Sequence, residues 1–269
     1  MGFVITPKNL AKKEAYEELI EKIIDKSDVI LVLLDARMPE LSRNKRIEEI
    51  LKEKKRDFIF VLNKADLISR KNLMKAKKAL SKITGTIEVS CITGFRIDFL
   101  RRKIFYLFDK IPNCRRKVGV LGYPNMGKSS LINRLAKTHA AKISKEAGFT
   151  KEMRWIAGKN MELLDGPGYI ESKEKGDMLK FAILGARNPE KVRDPEMAAF
   201  RIIWDLIKKE KRIIEAAYGI KLESEDPSEI ITQIGKRLGH LKKGGKVEER
   251  KTSIIIIRDW QSGKLRPSN

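Results

Sequence analysis

The chain has 269 residues, 42% of them hydrophobic, and carries 58 lysines and arginines against 36 aspartates and glutamates, a formal charge of +22 at pH 7. Such a length suggests two domains, and an apolar share near the globular average supplies a core and argues against wholesale disorder. Two cysteines (Cys91 and Cys114), no apolar run of the roughly 18 residues a bilayer span needs, and no apolar leader exclude a disulfide scaffold and a membrane protein, so a cytoplasmic chain is expected.

From the N-terminus, helical periodicity runs over about Lys8–Lys26 and leads into Val29–Leu34 (VILVLL), a short continuous apolar run. Similar runs follow at Phe58–Leu62, Ile87–Val89, Val118–Leu121 and Met161–Leu164. Helical patterns separate them over about Arg43–Lys54, Arg70–Lys82, Phe95–Asp109 and Lys128–Thr138. Unbroken apolar strands alternating with helices predict an α/β domain with a doubly wound, mainly parallel sheet, whose strands are covered on both faces. After about Lys180 the strands stop. Pro195–Tyr218 and Pro227–Leu241 each begin with proline after an acidic residue, a helix-start pairing, and Val247–Trp260 reads as a third helix. Two domains are therefore expected, residues 1–180 and a C-terminal helical domain, residues 181–269, with the boundary within Ser172–Asp194. Trp155, Trp204 and Trp260 lie on apolar stripes and are expected in the core. His139 and His240 have no partners at ligand spacing, which argues no zinc site, and Cys114 reads as a linker thiol.

The charge imbalance favours a polyanionic partner, since neutralising phosphates releases condensed counterions without any reading of bases. The group Lys242, Lys243, Lys246, Arg250 and Lys251 makes RNA contact by the tail the expectation, with no membrane and no DNA.

Gly122-Tyr-Pro-Asn-Met-Gly127-Lys128-Ser129 fits G-x-x-x-x-G-K-[ST] between strand VGVLG and helix SSLINRLAK. Its glycines let the backbone amides of the turn, through Met126, Gly127 and Ser130, curl around phosphates at a helix N-terminus. Lys128 is expected on the β- and γ-phosphates and the Ser129 hydroxyl on Mg2+. Asn63-Lys64-Ala65-Asp66, directly after a strand, fits N-K-x-D. Asp66 can accept from N1–H and the exocyclic amine of guanine, a pattern adenine does not offer. Asn63 can bridge loops, and the Lys64 stem can lie over the base. Asp165-Gly166-Pro167-Gly168 fits D-x-x-G, with Asp165 on Mg2+ through water and the Gly168 amide sensing the γ-phosphate. Ser90-Cys91-Ile92 fits the loop that backs the guanine, and Thr150 is the candidate for the mobile threonine on Mg2+ and the γ-phosphate, with Thr138 the alternative between the P-loop and Asp165. GTP or GDP with Mg2+ is the ligand set these motifs point to.

In most GTPases the P-loop comes first; here N-K-x-D and the Ser-Cys loop precede it. Rejoining the ends of one sheet rotates chain order without moving a loop in space. With this order, with Asp35-Ala36-Arg37-Met38-Pro39 and Ser42-Arg43-Asn44 after the first strand, and with Ile234–Gly239, Lys243-Gly244-Gly245 and Asp259–Leu265 in the tail, the chain resembles the circularly permuted GTPases of the YlqF/YawG family over nearly its whole length.

That resemblance implies a P-loop GTPase domain that hydrolyses GTP in the assembly of the large ribosomal subunit, with the C-terminal helical domain contributing contacts to its rRNA. Two departures from the family pattern are Ala147 before Gly148 and Cys91 in the base loop. Tyr169 follows D-x-x-G where many GTPases carry a water-orienting glutamine, which implies slow intrinsic hydrolysis that ribosomal particles stimulate. Asn125 either ligates a K+ ion against the phosphates, in the role of an arginine finger, or caps the turn. Two functions stay open: a GTP-driven assembly factor, and a GTP-gated RNA- or protein-binding module with negligible turnover.

Overall fold

Strand β1 (Val29–Asp35) is buried at all seven positions and β2 (Ile59–Asn63) at all five, so their unbroken apolar sequences reflect strands covered on both faces. The computed structural model to which they belong describes residues 7–137, 154–165 and 178–267, the side chains of 7–16 and of 178 excepted. Strands β3 (Thr86–Glu88), β4 (Lys117–Leu121), β5 (Arg154–Gly158) and β6 (Met161–Asp165) complete a sheet of order β3-β2-β1-β4-β6-β5. The first five in that order run parallel, with Asp35 level with Asn63, Val32 with Leu121, and Val120 with Asp165. The C-terminal ends of four strands thus lie side by side, where open α/β sheets bind ligands.

The sheet is mainly parallel, as expected, but β5 is an addition to the sequence reading. It pairs antiparallel with β6, Gly158 opposite Met161, through a tight turn in which Asn160 adopts φ 61°. Of its five residues only Ile156 is buried, so no apolar run announces it.

Helix α1 (Pro7–Lys26) precedes β1, and α2 (Pro39–Ser42), α3 (Lys45–Glu53), α4 (Arg70–Leu80), α5 (Ile97–Phe108) and α6 (Lys128–Ala136) lie between successive strands. The expected Arg43 start of α3 moves to Lys45 because Asn44 caps it, its side-chain oxygen accepting from Ile47 N at 3.1 Å. Helix α6 ends at Ala136, capped by Lys137, which turns left-handed at φ 57°; Thr138 lies outside the described residues.

The chain divides into two units, Met1–Asp66 with Leu73–Gly176, and Leu67–Asn72 with Asp177–Asn269. The second is helical: α7 (Met178–Ile183), α8 (Pro195–Glu210), α9 (Arg212–Tyr218), α10 (Pro227–Arg237) and α11 (Glu249–Ser262). Asp194 and Asp226 accept from Met197 N and Ser228 N at 3.0 and 2.8 Å, and proline follows each cap. Ala198, Ala199, Ile202, Ile203 and Leu206 form the buried stripe of α8. Trp260 is buried and donates from Nε1 to Ile183 O at 2.8 Å.

Two expectations are corrected here. The helix expected over Pro195–Tyr218 is two helices that meet at Lys211. Trp204 is not core: it is 40% exposed, stacked on Phe200 at 6.4 Å with Lys208 Nζ 3.9 Å from its ring centre. Its stripe is shared with charged residues that carry it to the surface.

Candidate functional site

The phosphate end is assembled where β4 passes into α6. Gly122 turns at φ 143°, and a Cβ there would sit 2.8 Å from Leu33 O, so the tight exit from the strand admits only glycine. Asn125 holds φ 61° at the turn, and Met126 is buried beneath it. Gly127, at φ 95°, opens the helix and leaves the amides of Lys128, Ser129 and Ser130 in its first turn, where the helix dipole is positive. Lys128 is buried, and its ammonium donates to Gly122 O at 3.2 Å and Tyr123 O at 2.9 Å. Burial lowers its pKa to about 8 against the opposing pull of Asp165.

Asp165 ends β6, beside the P-loop strand, and is 3% exposed. Ser129 Oγ donates to its Oδ2 at 3.3 Å, while Oδ1 is buried without a hydrogen-bond partner among the described residues. Burial raises the Asp165 pKa, against Lys128, Ser129 and Arg154. A hydroxyl and a carboxylate oxygen converging beside a phosphate cradle suit a hard divalent cation, so the donor set fits Mg2+.

The N-K-x-D end, the candidate base site, is held together by Asn63. Its Nδ2 donates to Met126 O at 2.8 Å and its Oδ1 accepts from Cys91 N at 3.1 Å, so one amide ties three loops. This explains Gly127 a second time, because a Cβ there would lie 2.3 Å from Asn63 Nδ2. Ala36 N donates to Asn63 O at 2.9 Å and Ala65 N to Val89 O at 3.0 Å. Asp66 lies in a single 3-10 turn, Ala65–Leu67, with Oδ1 buried and without a partner among the described residues. Lys64, at φ 64°, places its ammonium 2.8 Å from Asp35 Oδ2. Ser90 is buried, its Oγ accepting from Thr93 N at 3.1 Å. The Cys91 thiol is buried, and desolvation pushes its pKa up to about 12, so it is a packing group and not a nucleophile.

The geometry thus brings Asn63, Lys64, Asp66, Ser90 and Cys91 to one end of the site, and Asn125–Ser130 with Asp165 to the other, Asn63 joining them. Thr150, Gly168 and Tyr169 lie outside the described residues. Two contributors were not singled out as site residues from sequence. Arg134 on α6 donates from Nε to Cys91 O at 2.8 Å and from Nη2 to Ile92 O at 2.7 Å, which fixes the base loop from behind. Asp35 binds Lys64; its signal was its place at the end of the strand next to N-K-x-D.

Residues 117–227 match the family described as 50S ribosome-binding GTPase. The chain is 37% identical over 255 residues to a GTP-binding protein of Methanocaldococcus jannaschii, covering 94% of this chain and 67% of that one. It is 33% identical over 272 residues to ribosome biogenesis GTPase A of Bacillus licheniformis, covering 96% and 93%. The fold is shared with the crystal structure of GNP-bound YlqF from T. maritima, at 22% identity and a TM-score of 0.62 over 94% of this chain and 95% of that one. With its P-loop placed after N-K-x-D in the sequence and beside it in space, the chain belongs to the circularly permuted GTPases of the YlqF/YawG family.

Proposed function

We propose that this GTPase is an assembly factor for the large ribosomal subunit, binding its rRNA and cycling on and off the particle with GTP hydrolysis. The observation that carries the reading is the Asn63 bridge, which makes the base-reading loop and the phosphate loop one rigid site for a guanine nucleotide. Asp66 accepts from the two guanine N–H groups. Lys128, with the amides of Gly127–Ser130, binds the β- and γ-phosphates, and the positive end of α6 faces the charge that develops on the leaving group. Ser129 directly, and Asp165 through water, would hold Mg2+, which supplies neutralisation of the phosphate oxygens. Thr150 and Gly168 are proposed from their motifs as the groups that sense the γ-phosphate, and Asn125 as a ligand of K+.

The helical unit, proposed as the RNA-binding part, presents cations suited to phosphates. Leu241 and Val247 form a bridge, Lys242 N donates to Lys246 O at 2.8 Å, and Gly244 and Gly245 turn at φ 88° and 78°. Lys242, Lys243 and Lys246 are exposed on that tip, beside exposed Arg250 and Lys251 on α11. Such a cluster contacts backbone phosphates without reading sequence. The homologues named for ribosome biogenesis point the same way.

Phosphate release measured with and without purified large ribosomal subunits tests the proposal. Stimulation by the particle is the expected result. A flat, low rate with nucleotide-dependent binding would replace it with a GTP-gated binding module.

A further inference from the structure

Asp35 closes β1 level with Asn63, and its side chain is 2% exposed. Arg37 grips the carboxylate with Nε on Oδ1 at 3.0 Å and Nη2 on Oδ2 at 2.7 Å, and its own amide donates to Oδ1 at 3.0 Å. The backbone is fixed as well. Asp35 N donates to Ser42 Oγ at 3.0 Å, and that hydroxyl donates to Pro39 O at 2.9 Å, so α2 braces the carboxylate. Buried ion pairs add little net stability, because desolvation offsets attraction. What this one supplies is a carboxylate of fixed position and fixed charge: although burial opposes ionisation, Arg37 and Lys64 hold Asp35 well below the usual carboxylate range.

The remaining lone pair of Oδ2 takes Lys64 Nζ at 2.8 Å. Lys64 is attracted by two carboxylates, Asp35, with which it pairs, and Asp66. An ammonium on a flexible four-carbon stem turns to the nearest acceptor left to it. Without Asp35 the carboxylate that still attracts it is Asp66, whose Oδ1 has no partner among the described residues. We propose that Asp35, locked by Arg37, is a positioning residue that keeps the Lys64 ammonium off Asp66, so that the Asp66 carboxylate stays open to the two guanine N–H groups. This inference rests on Asn63–Asp66 being the base-reading loop.

The test is the release rate of N-methylanthraniloyl-GDP from four proteins: wild type, Asp35→Asn, Lys64→Met and the double variant. Asp35→Asn is expected to speed release about tenfold, the scale of losing one charge-assisted polar match. Lys64→Met alone also speeds release, through loss of the ammonium's anchored stem. In the Asp35→Asn background, however, Lys64→Met is expected to add nothing or to slow release, because it removes the competing ammonium. Effects that multiply would overturn the proposal, since a carboxylate that merely supports the fold has no reason to be rescued by deleting Lys64. Thermal midpoints are recorded for all four. Where Asp35→Asn fails to fold, Asp35→Asn with Arg37→Met takes its place, which also removes the buried guanidinium that Asp35 otherwise pairs. Asp66→Asn, titrated in parallel with GDP and xanthosine diphosphate, separates the two failures. A swap to xanthosine diphosphate with multiplying effects sinks only the role of Asp35; no swap sinks the base loop itself.

Discussion

At the proposed base end of the site, the polar atoms of Asn63 are engaged by Met126 and Cys91, and Lys64 is paired with Asp35, which Arg37 holds in place. At the phosphate end, among the described residues, the buried Lys128 donates to two carbonyls of its own loop and Asp165 keeps an oxygen without a partner. The base end is therefore preorganised by the protein's own side chains around the Asp66 carboxylate, whose Oδ1 is left without a partner among the described residues. The phosphate end holds a charge whose burial is unfavourable until a polyanion compensates it. Under the proposed assignment of the two ends, the contrast is a division of labour: the base end is set before the base arrives, and binding energy is concentrated on the phosphates.

The sharpest way to break this comparison is Lys128→Met. Removing a buried ammonium from the phosphate cradle should weaken GTP binding by about a hundredfold, the scale of losing two charge-assisted bonds. The same change should leave the thermal midpoint of the nucleotide-free protein unchanged or higher, because it replaces an undercompensated buried charge with an apolar chain. A large drop in that midpoint would mean that the phosphate end is as self-satisfied as the base end.

Asp66→Asn probes the other end. Guanine's exocyclic amine would then face an amide N–H2, donor against donor, whereas xanthine offers an oxygen. Affinity for GDP should fall at least about tenfold and preference should pass to xanthosine diphosphate, measured by titration. Wild type that binds ADP as well as GDP would remove the base-reading role. A smaller effect is expected at Asn125. If it holds K+, replacing Na+ by K+ at constant ionic strength should raise hydrolysis several-fold, and Asn125→Ala should erase the difference while keeping nucleotide affinity. Equal rates in both salts return Asn125 to a turn residue, a role its φ of 61° already suits.

The contrast also explains what could be read from the sequence. Local chemistry was legible: the strand–Gly-rich loop–helix succession at Val118–Leu135, the acidic caps before Pro195 and Pro227, and the apolar runs that became β1, β2, β4 and β6. These follow from neighbours in the chain. The Asp35–Lys64 contact spans 29 residues, and Arg134 reaches the base loop across 43. Such pairs exist only once the sheet has set its strand order, so no spacing rule marks them. Strand β5 escaped for the opposite reason: at an edge, it buries one side chain in five, so its sequence shows no continuous apolar run. Trp204 escaped because an aromatic at helical spacing looks alike whether it faces a core or, as here, lysine and water.

The smallest expected effect is a proton. Burial holds Lys128 at about 8 in the free protein, whereas an unfolded lysine keeps its proton to about 10.5. Between those values the unfolded chain binds more protons than the folded one, so Lys128 makes stability rise with pH across that window. Below about 8 its full burial cost is present. Phosphates placed beside the ammonium favour the charged form and move its pKa back up. Nucleotide binding should therefore take up almost no proton at pH 7 and close to one at pH 9. Calorimetry in two buffers of different ionisation enthalpy reads that number directly. Lys128→Arg, whose guanidinium stays charged at both values, should abolish the difference between the two pH values while still meeting the phosphates. Equal uptake at pH 7 and pH 9, or the same uptake in the arginine variant, would show that Lys128 is charged before the nucleotide arrives. The phosphate end would then be as well compensated within the protein as the base end.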